Sequence, residues 1–101
     1  MINDQKESVF NLTKALTEEI LDSVMKKMKI EDTKENREDV LALALNYLPA
    51  KYVTTDEGKQ YSKLIEMYRA QYESDVVTAL TKACIKVNDH PRNTEAKEAG
   101  N

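Results

Sequence analysis

The 101-residue chain has one cysteine, one histidine, two glycines and two prolines. A single cysteine excludes an internal disulfide. Cys84 and His90 together fall short of the roughly four Cys/His ligands a structural zinc needs, so no metal site is expected. So few turn formers, set among many Lys, Glu, Leu and Ala residues, argue for a mostly helical chain. No Gly-rich phosphate loop is present. No apolar run approaches the ~20 residues of a membrane span. The opening MINDQKES lacks the apolar core of a signal peptide, and a cytoplasmic protein without membrane insertion is expected. A basic excess is also missing. With 15 basic and 18 acidic residues the net charge is −3, which disfavours non-specific DNA binding. The length bounds the chain to one small domain.

What is present is helical periodicity. Val9, Phe10, Leu12, Leu16, Ile20, Leu21, Val24, Met25 and Met28 recur at three- and four-residue spacing. They predict a first helix from Asn3 or Asp4 to Lys29, with the methionines as core filling. Ile30–Glu35 is a charged connector in which Asp32 or Thr33 can cap a short turn. A second helix is expected from Asn36, as N-cap, to Leu48. It is nearly all apolar from Val40 to Leu45, which predicts burial on most sides at the centre of the core. A third helix is expected from Thr55 or Asp56 to Asn88. Its stripe is Tyr61, Leu64, Ile65, Tyr68, Tyr72, Val76, Leu80, Ala83 and Val87, widened by Val77, Ala79 and Cys84. At ~1.5 Å per residue such a helix is about 50 Å long, more than the diameter of a compact protomer of this size. The expectation is an all-α fold of three main helices with a long third helix, forming a compact homodimer through that helix. Residues 1–90 form the helical domain, and 91–101, polar and patternless after Pro91, form a flexible tail.

The segment Asp39–Gly58, DVLALALNYLPAKYVTTDEG, is the most informative. Pro49 stops an apolar helical run. Lys51-Tyr52-Val53 is a short extended piece. Thr54-Thr55-Asp56-Glu57-Gly58 then supplies hydroxyls and free amides where the next helix begins. Such a turn is either an ordinary interhelical connection or a cradle for an anion.

Ala42-Leu43-Ala44-Leu45-Asn46-Tyr47-Leu48-Pro49, followed by Tyr52, Thr54, Thr55 and Gly58, resembles the motif of the ComFB family, named after late competence development. The likeness covers roughly residues 5–90. It implies a small bacterial signalling protein. Cyanobacterial relatives are receptors for cyclic di-GMP, some also for cyclic di-AMP. Some relatives carry clustered cysteines where this chain has Ile30–Glu35, and here there are none. The chain departs from the family at Tyr47, commonly basic, and at Lys59, often aromatic in ligand-binding relatives.

The resemblance implies a ligand site in this block, and chemistry suggests the roles. Thr54, Thr55 and the amides around Asp56 and Gly58 suit phosphate. Tyr52 or Tyr47 can stack on a purine, and Asp39 or Asn46 can read a guanine edge. Arg37 and Arg69 are the candidate guanidiniums, while Leu48 and Pro49 shape the loop. Lys51 or Lys59 can stand in as point charges for the missing base. No catalytic constellation is visible, so no enzyme and no cofactor are expected. Cys84 reads as an inert core thiol and His90 as an exposed helix-end residue. The competing reading is a helical, homodimeric, competence-associated interaction protein with no small ligand.

Overall fold

The structure, a computed structural model, describes residues 9–54 and 58–89. The expected helix start at Asn3 or Asp4, the site residues Thr55 and Asp56, His90 and the tail 91–101 lie outside the described residues. The element order is β1 (Val9–Asn11), α1 (Leu12–Lys27), α2 (Lys34–Asn46), β2 (Tyr52–Thr54) and α3 (Gly58–Asp89). Three helices with a long third one are found as expected. A two-stranded antiparallel sheet is the addition to an all-α fold, with Val9 opposite Thr54, Phe10 opposite Val53 and Asn11 opposite Tyr52.

The first helix is therefore shorter than its periodicity suggested. Val9 and Phe10 fit the helical stripe, yet they are extended and paired with β2. Asn11 decides the boundary. Its backbone is extended and its side chain accepts from the Lys14 amide, a helix N-cap. At the other end α1 stops at Lys27, two residues before the expected Lys29. Met28 is the C-cap, and Lys29 sits in the left-handed region at φ 60°. The Lys29 amide donates to Lys26 O and the Ile30 amide to Met25 O, the two bonds of a Schellman closure, with Ile30 buried beside it.

The second helix begins three residues earlier than expected. Thr33, not Asn36, is the N-cap, its hydroxyl accepting from the Asn36 amide at 3.1 Å. The Asn36 side chain instead donates back to Glu31 O. The helix ends at Asn46 rather than Leu48, with Tyr47 as its C-cap, and Pro49 disfavours helical geometry at Leu48 just before it. Nor is α2 the centre of the core. Only Val40 and Ala44 are fully buried on it, while Leu41, Leu43 and Leu45 are half-buried.

That centre lies between α1 and α3. Leu16, Leu21, Val24 and Met25 of α1 meet Val76, Leu80, Ala83, Cys84 and Val87 of α3, with Val40 and Ala44 closing one side. The third helix runs 32 residues, about 48 Å at 1.5 Å per residue, and the longest extent of the molecule is 46 Å. Its length is used within the protomer. The Tyr61 ring, in its first turns, lies tilted against Phe10 of the sheet at 4.7 Å, and the inner face beyond it packs on α1 and α2. Of that stripe Tyr68, Val76, Ala79, Leu80, Ala83, Cys84 and Val87 are buried within the protomer, Tyr61, Leu64, Ile65 and Tyr72 are half-buried, and Val77, expected to widen it, is exposed. No helix of the described residues is long and apolar enough to cross a membrane.

Candidate functional site

The connector from α2 to α3 is built from its backbone outward. The C-cap Tyr47 donates its amide to Ala44 O and Leu45 O. Leu48 is half-buried against the core. The Pro49 ring is exposed, but its carbonyl accepts from the Thr13 hydroxyl at 2.9 Å. Lys51 O accepts from the Leu12 amide at 2.7 Å. Strand alternation then sorts the side chains of β2. Val53 turns toward the core with Phe10, while Tyr52 and Thr54 project the other way, both exposed. Tyr52 is 66% exposed, unusual for a ring this size. Directly opposite on the same outer face stand Asn11 and Val9. Gly58 opens α3 a few residues later, and the Phe10–Tyr61 contact seats the sheet on the first turns of that helix.

Of the residues named from the sequence, Leu48, Pro49, Tyr52, Thr54 and Gly58 belong to this one region. Asn46 is exposed at the end of α2. Asp39 is half-buried farther back along the same helix. The two guanidiniums stand apart from the connector. Arg37 lies nine residues before Asn46, about 13 Å along α2, and pairs with Asp22 of α1 and, at 3.4 Å, with Asp32. The hydrogen bond to Asp22, helped by the charges of both carboxylates, holds its pKa above the ordinary arginine value. Arg69 lies eleven residues past Gly58, about 16 Å along α3, and pairs with Glu19 at 2.7 Å and Glu73 at 3.9 Å. Both already have anionic partners.

Two features escaped the sequence reading. Lys82 of α3 lies over the Tyr47 ring at 4.5 Å, so the position where a base is common carries an aromatic face with a cation stacked on it. Nothing in the spacing of residues 47 and 82 signals that contact. The sheet partners Val9 and Asn11 were also missed, although Asn11 ahead of a periodic run is a legible cap signal.

Two grooves lie outside the connector, one acidic and one of balanced charge. One between α1 and α3 is lined by Glu18, Glu19, Tyr61 and Glu66, and its carboxylates repel a phosphate. Another, between α1 and α2, is lined by Glu18, Leu21, Lys34, Arg37 and Leu41. Among the described residues no group of three or more His, Cys, Asp or Glu side chains is arranged to hold a metal ion. Cys84 is buried, and burial pushes its thiol pKa up, the opposite of what a nucleophile needs.

A family model described as "Late competence development protein ComFB" matches residues 7–91. The solved structure of the late competence protein ComFB from Bacillus subtilis is similar to this chain with a TM-score of 0.67 and 25% sequence identity, covering 85% of this chain and 94% of that one. No curated protein matches.

Proposed function

This chain belongs to the ComFB family, and on that premise we propose that it is a cytoplasmic regulatory protein that binds a cyclic dinucleotide, cyclic di-GMP foremost, at the connector between α2 and α3. It acts by binding and not by catalysis. The observation that carries the reading is the exposure of Tyr52 and Thr54 side by side on the outer face of β2, next to the start of α3. A purine stacks on Tyr52. Phosphate oxygens take the hydroxyls of Thr54 and Thr55 and the amides from Asp56 to Gly58. With Arg37 and Arg69 occupied by carboxylates, the countercharge falls to Lys51 and Lys59. Asn46 is the group for a base edge. A net charge of −3 argues against non-specific DNA binding.

Thermal melting tests this directly. Ligand at 100 times its dissociation constant adds about 2.7 kcal/mol, a rise of roughly ten degrees or more in a domain of this size. No shift with millimolar cyclic di-GMP or cyclic di-AMP refutes the reading.

The homodimer is part of the same proposal, with its contact moved to the outer face of α3. Met67, Ala70, Ser74, Val77, Thr81 and Ile85 follow three- and four-residue spacing and carry no charge, and Met67, Val77 and Ile85 are large apolar groups left exposed. Such a seam suits a second helix. The same face favours the second reading, a helical interaction protein without a small ligand. That reading stands if the protein dimerises and no dinucleotide changes its melting.

A further inference from the structure

Three consecutive residues at the start of α1 hold three points of the connector. Asn11 pairs with Tyr52 in the sheet. The Leu12 amide, a helix N-terminal donor with no intrahelical acceptor, donates to Lys51 O at 2.7 Å. The Thr13 hydroxyl donates to Pro49 O at 2.9 Å. Behind Thr13 stands Tyr68 of α3, its hydroxyl 2.8 Å from Thr13 Oγ1. The direction of this chain is fixed by proton count. A carbonyl can only accept and a threonine hydroxyl has one proton. Thr13 gives that proton to Pro49 O, so Tyr68 must donate to Thr13. The polarised order is Tyr68 to Thr13 to the Pro49 carbonyl. Thr13 is 1% exposed and Tyr68 8%, so the Tyr68–Thr13 link is buried, while the link to the Pro49 carbonyl is part-buried; linked hydrogen bonds of this kind strengthen one another by polarisation. Thr17 secures the arrangement by donating to Thr13 O at 2.6 Å.

We infer that Thr13 and Tyr68 are positioning residues that clamp the α2–β2 connector and thereby set where Tyr52 and Thr54 project. The chain joins α1, the connector and α3 through side chains that touch none of the exposed groups. Its purpose rests on the reading of Tyr52 and Thr54 as a ligand face, but its existence does not, and it is tested with no ligand present.

The experiment is amide hydrogen exchange on the full chain. Thr13→Val keeps shape and removes the hydroxyl, leaving Pro49 O and Tyr68 OH without their partner. Losing a buried hydrogen bond of this kind raises local opening about tenfold or more. The expected result is faster exchange at residues 50–54, with protection across Leu16–Met25 and Val76–Val87 retained. Tyr68→Phe keeps the Thr13–Pro49 bond and is expected to give a smaller increase confined to the same residues. Thr13→Ser, which restores the hydroxyl, is expected to restore protection. Unchanged exchange at 50–54, or equal acceleration of core and connector, overturns the inference. If Thr13→Val does not fold, Tyr68→Phe decides alone by the same two criteria. Because no dinucleotide is added, failure here leaves the ligand proposal standing, and failure of that proposal leaves the clamp standing.

Discussion

Val76 and Ile85 stand on opposite faces of α3, and an aspartate at each separates two events that a long amphipathic helix tends to confuse. Nine residues are two and a half helical turns. Val76 is 0% exposed, packed inside the protomer, whereas Ile85 is 49% exposed. Val76→Asp forfeits about 1.5–3 kcal/mol of apolar burial and adds a carboxyl group with no partner among Leu, Ala and Val side chains, several kcal/mol more. The total of roughly 5 kcal/mol or more is comparable to the whole stability of a small domain, about 5–15 kcal/mol. Val76→Asp is therefore expected to abolish or nearly abolish the cooperative melt seen by far-UV circular dichroism. Ile85→Asp loses about 1 kcal/mol within the protomer, since half of the side chain is already in water. It is expected to keep its helicity while light scattering at micromolar concentration changes from dimer to monomer mass. Val76→Asp melting within a few degrees of the parent would remove that stripe from the core. Ile85→Asp remaining dimeric would refute the outer-face contact, and a monomeric parent protein refutes the dimer itself.

Four further outcomes are expected. Tyr52→Ala should weaken cyclic di-GMP binding in calorimetry by the about 1–3 kcal/mol of one base–aromatic stack and shift the melting temperature little, and parent binding should weaken with added salt. Lys29→Gly should raise stability by about 0.5–1 kcal/mol in urea denaturation, because glycine adopts the left-handed C′ position without a Cβ penalty. Burial raises the Cys84 pKa above the ordinary thiol value of 9.0; the folded state then holds its proton more tightly than the unfolded one, so this contribution to stability is complete at pH 7 and declines as pH climbs past that value, and native protein should resist thiol reagents until denatured. Removing residues from Arg92 onward should change stability by less than about 0.5 kcal/mol, as for a terminal segment of polar, patternless sequence.

Long periodic segments were the legible part of the fold. The stripe of α1 from Leu12 to Met25 matches the buried positions, and so does that of α3 from Tyr68 to Val87 except at Tyr72, half-buried, and Val77, exposed. The boundaries were not, and each miss has a local cause. Val9 and Phe10 satisfy a helical template, but pairing with Tyr52–Thr54 holds them extended, and a partner more than forty residues away in the chain leaves no trace in periodicity. Asn36 has the right chemistry for a cap, but Thr33 has it too and stands next to the connector turn. The apolar density of α2 was read as burial on most sides, whereas its leucines, Leu41, Leu43 and Leu45, are only half-covered. Composition counts apolar residues; it does not say how much surface the neighbouring helices have to cover them.

The residues that carry the family resemblance divide once their structural duties are subtracted. Leu48 packs on the core and the Pro49 carbonyl receives Thr13. Ala44 is fully buried between helices. These positions are accounted for by folding alone. Tyr52 and Thr54 are not, because their strand is already satisfied by pairing and their side chains leave the protein surface. An exposed aromatic ring forgoes burial that a core position would give it, about 2 kcal/mol for a ring of this size, and a polar residue would serve the strand as well. The guanidiniums run the other way. Arg37 and Arg69 looked like phosphate-binding groups in the sequence because nothing there showed Asp22 or Glu19 facing them across a helix packing. Subtraction thus shifts the candidate site off the arginines and onto Tyr52 and Thr54, where a ligand must find its affinity in stacking and hydroxyls first and in lysine charge second. On the proposed reading a cyclic dinucleotide offers two purines and two phosphates in one ring, and single-base nucleotides lacking the second purine should bind distinctly more weakly.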